Sequence, residues 1–297
     1  MPTLSVLIWL ASLGCAFAHG DAPHGEGMPW TFDPWIVAPL ALIGVLFAAG
    51  AARLAGRSTT GRVVRLRQAL VYAAGWLALA GALMSPLHWL GEHLFTFHMI
   101  EHEIVMAIAA PLLVLARPVA TMLWGLPKTL RRVVAGLMRL RGSRALWRWL
   151  TRPGTATLLH GAAIWLWHAP PLFDWAVTSE AAHRWQHLSF FLTALLFWWA
   201  VLVRAEAGVA VWHLFVTMLH TAVLGALMAL APRVLYTAQT AAAAQWGLTP
   251  LEDQQLAGVL MWVPAGTVYA GAALAMLARW IKRSSVSAGG YHAAQTS

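Results

Sequence analysis

Cysteine and charge are what this sequence has least of. Its 297 residues include one cysteine, Cys15, so neither an intrachain disulfide nor a Cys-rich metal site can be built. Charged residues make up 10% of the chain, where a soluble domain carries about 25%. Hydrophobic residues make up 60%, and the mean hydropathy is +0.64. These values exclude a water-soluble globular domain and point to an integral protein of the lipid bilayer. Acidic residues are the scarcer sign, 11 against 20 basic. The excess of +9 does not mark a nucleic-acid partner, because the basic residues cluster in loops between apolar runs. The 18 tryptophans suit interfacial belts and helix packing.

What is present is a series of long apolar segments. The first eighteen residues, MPTLSVLIWLASLGCAFA, fit a signal peptide cut after Ala18, although no Lys or Arg precedes the apolar core. A His-containing leader (19–34) follows. Residues 35–283 form the membrane domain, and 284–297 a flexible, polar cytoplasmic tail. The expected fold is all-α, a polytopic bundle of about seven transmembrane helices near 35–54, 69–88, 93–116, 154–175, 184–204, 210–231 and 254–278. No internal repeat is evident, which favours one bundle.

The basic residues orient it. Eighteen Lys and Arg fall on one side, most in loops 53–68 and 117–153, and only Arg184 and Arg233 fall on the other. The positive-inside rule then makes the basic loops cytoplasmic and the mature N-terminus external, in a bacterial inner membrane. Loop 117–153 interleaves Leu, Val and Trp with arginines, as an amphipathic helix on the inner leaflet would.

HMIEH (98–102) interrupts the third apolar run with two histidines and a glutamate. On a helix His98 and His102 share one face, with Glu101 beside them. His183 and His187 repeat the i,i+4 spacing at the start of the fifth span. At ~1.5 Å per residue, His98, His102, His168, His183, His187, His220, Asp253 and Met261 all fall in the outer half of the bilayer. Ionisable groups at that depth are costly and face the bundle interior, which makes them functional candidates. A single such histidine is equally well explained by packing; two i,i+4 pairs at one height favour a metal or proton-handling site. With no thiolate, imidazole and thioether suit copper, and imidazole with carboxylate suits zinc.

Several readings stay open on residues alone. H-x-x-E-H is the pattern of one class of zinc peptidases, with Glu101 as base. A single haem could sit between His102 and another span. A proton or ion carrier could use the same His/Glu chain.

Four longer stretches narrow the choice. FHMIEHEIVMAIAAPLLVLARP (97–118), WLWHAPPLFDWAV (165–177), HRWQHLSFFLTALLFWW (183–199) and LTPLEDQQLAGVLMWVPAG (248–266) occur in that order. In these the chain resembles the polytopic caa(3)-type cytochrome c oxidase assembly factors called CtaG, from about residue 35 to 283. The resemblance implies a membrane protein, not an enzyme, that matures haem–copper oxidases by handling copper for the catalytic subunit. Cytochrome c oxidase subunit I and periplasmic copper chaperones are the implied partners. It also implies metal-handling roles for His98, His102, His168, His183, His187, Asp253 and Met261. Glu101 departs from the pattern, since many relatives carry a less acidic residue there, and this leaves a harder, more zinc-like site open.

Overall fold

Inside a bilayer no water satisfies exposed backbone groups, so apolar runs of this length form helices that satisfy their own. In the computed structural model, which describes residues 29–57 and 60–295 and side chains as far as 282, no strand occurs among the described residues. The expected signal segment and most of the leader lie outside the described residues.

Five helices run from Pro34 to Gly125: α1 (Pro34–Ala55), α2 (Arg62–Met84), the short α3 (Pro86–His93), α4 (Phe95–Ala116) and α5 (Val119–Gly125). Two short amphipathic helices follow, α6 (Lys128–Arg139) and α7 (Arg141–Leu150). Then come α8 (Pro153–Trp167), α9 (Pro170–Thr178), α10 (Glu180–Arg204), α11 (Ala207–Ala229) and α12 (Pro250–Gln295). Helical backbone thus continues where the sequence suggests a flexible tail.

Six of these helices, α1, α2, α4, α10, α11 and α12 as far as Lys282, are long and apolar enough to cross a membrane. The chain is a multi-pass membrane protein. The expected fourth span, 154–175, is corrected: it is broken into α8 and α9. Pro170 disfavours helical geometry in the residue before it, and Ala169 is extended at φ −64°, ψ 125°. The 15 residues of α8 reach only about 22 Å, short of the ~30 Å hydrocarbon core. The break leaves His168 at the end of α8.

Two interfaces close on glycine. A Cβ on Gly50 of α1 would stand 1.8 Å from the Thr121 carbonyl oxygen, and one on Gly125 of α5 2.1 Å from that of Leu46. Between α11 and α12, a Cβ on Gly225 would stand 2.7 Å from the Gly258 oxygen, and one on Gly258 2.5 Å from Ala229 N. Small residues allow this approach, and van der Waals contact then holds helices that lipid cannot drive together.

The two ends of the bundle differ in chemistry. At the basic end Arg53 Nη1 donates to the carbonyls of Trp124, Gly125 and Leu126 at 2.8–3.0 Å, closing the C-terminus of α5. Arg204 likewise donates to Arg148 O at 2.9 Å and Thr151 Oγ1 at 2.6 Å. Helices α6 and α7 lie at this end with no buried residue. At the opposite end Asp33 caps α1 through Trp35 N and accepts from Arg184 Nε at 3.0 Å. Histidines collect at this second end.

Candidate functional site

Three local devices build the site. The first is a cap supplied from another helix: Asp253, at the start of α12, accepts from Phe95 N at 2.8 Å, Thr96 N at 2.9 Å and Thr96 Oγ1 at 2.7 Å. These are orphan donors of the first turn of α4, so α4 is fixed to α12 three residues before His98. The second is close approach at Gly91 of α3, where a Cβ would stand 3.0 Å from Glu101 Oε2 and 3.3 Å from His98 Cα. The third is a π-helical segment, Ile104–Ala109, directly after the HMIEH turn. Its wider winding leaves the Met106 carbonyl to accept from Trp198 Nε1 of α10 at 2.8 Å. That bond ties α4 to the helix carrying the second histidine pair.

The result is a cluster of rings from α3, α4, α8 and α10. Ring centroids lie 4.3 Å apart for His98 and His102, and 4.5 Å for His183 and His187. Between the pairs, His102 and His187 are 4.9 Å apart, and His98 and His183 5.5 Å. His168 stands 6.4 Å from His102. Phe173 and Phe190 close over the rings at 5.3 Å from His98 and 4.8 Å from His102.

His88 joins as a partner of the glutamate. Its Nδ1–H donates to Glu101 Oε1 at 2.7 Å, and its ring lies 5.6 Å from that of His183. Burial alone would push the His88 imidazole down. The hydrogen bond and charge of Glu101, with Glu92 and Asp33 behind it, outweigh burial and hold it above its ordinary value. Nothing in the local spacing links His88 to a residue thirteen positions later, so sequence reasoning leaves it in the turn. Gln186, buried beside His187 with both amide atoms unpartnered, is likewise missed.

Hydrogen bonding sets what the rings can do. His168 Nδ1–H donates to Ile164 O at 2.7 Å, which leaves Nε2 as the lone-pair atom, buried and unpartnered. His183 and His187 share one proton between their Nε2 atoms at 2.9 Å. His187 Nδ1 is 3.7 Å from Glu101 Oε1, too far for a hydrogen bond. His98 Nε2, both ring nitrogens of His102, His187 Nδ1 and Glu101 Oε2 are all buried without a partner. Such atoms are costly unless something satisfies them.

The ring spacing suits a cation. With N–metal bonds of about 2.1 Å, two imidazoles on one tetrahedral ion place their centroids about 5 Å apart. The pairs at 4.5, 4.9 and 5.5 Å bracket that value. Among the described residues, however, no three His, Cys, Asp or Glu side chains already converge on one point in a metal-holding arrangement. Side-chain rotation within the cluster would have to complete a coordination shell.

The remaining expected residues lie elsewhere. Asp253 spends both oxygens on the start of α4. Met261 is buried in the apolar core with Phe95, Phe173 and Tyr236. His220 does not reach the cluster; it lies against Gly161, between α11 and α8.

Comparison with known proteins places the chain among relatives. The chain is 28% identical over 270 residues to an uncharacterized protein of Mycobacterium bovis and, equally, to one of Mycobacterium tuberculosis. An uncharacterized protein of Mycobacterium leprae is 25% identical over the same length. Each alignment takes in 86% of this chain but 40% of the relative, so the chain spans less than half the length of these proteins. No solved structure matches it. The family profile described as cytochrome c oxidase caa3 assembly factor matches residues 45–283, and the chain belongs to that family.

Proposed function

We propose that this protein serves cytochrome c oxidase assembly by holding copper in the His98–His102–His183–His187 cluster and releasing it to the catalytic subunit. The observation that carries the reading is the set of buried, unpartnered nitrogens on His98, His102 and His187, in rings whose centroids lie 4.3–6.1 Å apart. His168 Nε2 adds a further donor, and Glu101 a negative charge that lowers the cost of a cation in low dielectric. Copper is cargo here. Neutral imidazoles would take the ion from a periplasmic chaperone and pass it by ligand exchange to subunit I, with protons displaced as it binds.

Orientation belongs to the same proposal. The basic end carries eighteen of the twenty Lys and Arg, which supports placing it in the cytoplasm of a bacterial inner membrane and the cluster on the external side. An assembly role is favoured over catalysis because Glu101, the base a zinc peptidase would need, is buried and already bound to His88.

The test is metal analysis of the purified chain after copper loading, wild type beside His98→Ala/His102→Ala, with oxidase activity measured in a deletion strain carrying each. The wild type should retain copper in the cluster and support the oxidase, and the double variant should lose the cluster's copper and fail to support the oxidase. Equal copper retention by both proteins would end the proposal.

A further inference from the structure

The basic end of the bundle has charge of one sign only in its longest connection. Between Glu103 and Asp174 the chain holds neither Asp nor Glu, and α6 and α7 alone carry seven Lys and Arg. On each helix the charges keep to one side. Lys128, Arg132 and Arg139 lie along α6 opposite Leu130, Val133 and Leu137. Arg141, Arg144 and Arg148 lie along α7 opposite Leu146 and Trp149. No part of the protein covers the apolar sides, whose five named residues are 48–56% exposed.

These helices are nevertheless held against the bundle. Trp147 of α7 meets Trp199 of α10 edge to face at 5.6 Å, and Arg204 donates to the Arg148 carbonyl at 2.9 Å. Short amphipathic helices fixed at the end of a membrane bundle, with the apolar side bare, have the bilayer interface within reach and lie along it.

Within this surface one place gathers two cations. Trp124, near the end of α5, receives Arg57 from just past α1 and Arg131 from α6. Their guanidinium carbons stand 4.8 and 4.1 Å from the centre of the indole ring. The negative face of the ring attracts each of them. The carbonyls of Trp124, Gly125 and Leu126 already accept from Arg53. Among the described residues no carboxylate pairs with Arg57 or Arg131. Two like charges at one ring repel, and the bilayer edge screens that repulsion less than water does. An anion shared by both reverses its sign.

Reach and position select the anion. The two guanidinium carbons are at most about 9 Å apart, given their distances from the same ring. A phosphate accepting from two guanidiniums at ~2.9 Å per bond spans roughly 8 Å between their carbons. One phosphate at the edge of the indole can therefore reach both forks. Phosphates are also what the interface offers at this height, where the apolar sides of α6 and α7 enter the acyl boundary. A zwitterionic headgroup brings its own cation toward a surface that has no acid to receive it, so a lipid of net negative charge is preferred.

We infer that α5, α6, α7 and Arg57 form an interfacial platform for anionic phospholipid, with a headgroup phosphate held by Arg57 and Arg131 beside Trp124. The platform is remote from the histidine cluster and does not require that cluster to bind metal.

The full-length protein, purified in detergent, is titrated with phosphatidylglycerol or phosphatidylcholine, and bound lipid is counted by native mass spectrometry. Wild type is compared with Arg57→Gln/Arg131→Gln and with Arg132→Gln/Arg144→Gln, which removes equal charge away from Trp124. Wild type should prefer phosphatidylglycerol, and the Arg57/Arg131 variant should bind it roughly tenfold more weakly. The second variant should stay close to wild type. Arg57 is exposed beyond the end of α1, so Arg57→Gln alone, with a loss of roughly fivefold, decides the matter if the double variant does not fold. Wild-type affinity in a folded Arg57/Arg131 variant, or in Arg57→Gln, would overturn the site. Equal losses in the two double variants would also overturn it, leaving only diffuse surface charge. Displacement of phosphatidylglycerol by millimolar inorganic phosphate would assign the site to a soluble anion and overturn the lipid assignment.

Discussion

His88 Nδ1 donates to Glu101 Oε1 at 2.7 Å, so the buried carboxylate among the clustered histidines is held by a residue of a different helix. The bond fixes which way Glu101 faces. One oxygen is engaged, and the other is buried and free beside Gly91. Partners that orient a ligating group typically contribute 10–100-fold to metal affinity without binding the ion. His88→Ala should therefore lower copper affinity by about that factor while leaving stoichiometry intact. Competition titration against a chelator separates the two quantities, and an unchanged affinity would remove His88 from the site.

Glu101 itself distinguishes an assembly factor from a peptidase. As a general base it would be indispensable, and Glu101→Gln would abolish function while sparing metal. As a charge beside a copper cluster it only tunes affinity. Gln keeps the oxygen that accepts from His88, so the variant should fold, bind copper about tenfold more weakly and support the oxidase at a reduced level. Complete loss of oxidase activity with copper fully retained would favour the catalytic reading.

Asp253 is expected to matter for stability and not for metal. Its carboxylate satisfies Phe95 N and Thr96 N at the start of α4. Asp253→Ala strands both donors in a buried place and should cost about 2 kcal/mol. Thermal unfolding in detergent should shift downward, while the folded fraction keeps wild-type copper stoichiometry. A variant with unchanged melting but lost copper would restore Asp253 to the ligand set.

What the sequence allows to be read follows from the range of the forces involved. Span identity is local: apolar runs and the i,i+4 spacing of His98 with His102 and His183 with His187 are visible in the sequence and survive in the structure. Depth along a helix is also local, but the direction of a side chain around the axis is not. His220 falls at a depth compatible with the cluster, yet α11 turns it toward Gly161. Asp253 reads as a ligand by height alone, whereas its partners are backbone donors 157 and 158 positions away. The fourth span fails for a readable reason, since Pro170 and Pro171 stand inside its apolar run, five residues before its end, and hydropathy ignores them.

The α11–α12 crossing should tolerate no added bulk. A Cβ on Gly258 would stand 2.5 Å from Ala229 N and 2.6 Å from Gly225 O, both backbone atoms that cannot rotate away. Gly258→Val forces the helices apart, and overpacking of this kind costs roughly 1–3 kcal/mol or more. Membrane accumulation of the variant should fall several-fold, whereas Gly271→Ala, with open space around it, should accumulate normally. Equal accumulation of the two would mean that the helices do not cross this closely.

Orientation can be tested apart from chemistry. With Cys15 replaced by Ser, a cysteine at Gly142 lies on α7 at the basic end, and one at Thr237 lies in the connection beside the cluster. Both positions are exposed. An impermeant thiol reagent added to intact spheroplasts should label the Thr237 variant and leave the Gly142 variant unmodified until the membrane is opened. The reverse pattern would put the histidine cluster on the cytoplasmic side and exclude exchange with a periplasmic chaperone.

His98, His102 and His187 are expected to behave as one unit. Their centroids are separated by 4.3, 4.9 and 6.1 Å, His98 and His102 are buried and His187 nearly so, and each has at least one buried ring nitrogen without a partner. If these nitrogens share one ion, removing the first ligand already forfeits most of the affinity, and removing the others adds little. Residues in one network combine in this non-additive way, whereas independent packing histidines each add their own modest destabilisation. The measurement is copper stoichiometry and cytochrome c oxidase activity for His98→Ala, His102→Ala, His187→Ala and the triple variant, each checked for folding by size-exclusion chromatography. Each single variant should lose most of its copper, and the triple should be scarcely worse than the most affected single. Full copper and full oxidase activity in all three singles would reduce the cluster to polar packing. The unsatisfied nitrogens would then need another occupant, with ordered water the first to examine by hydrogen exchange of the ring protons.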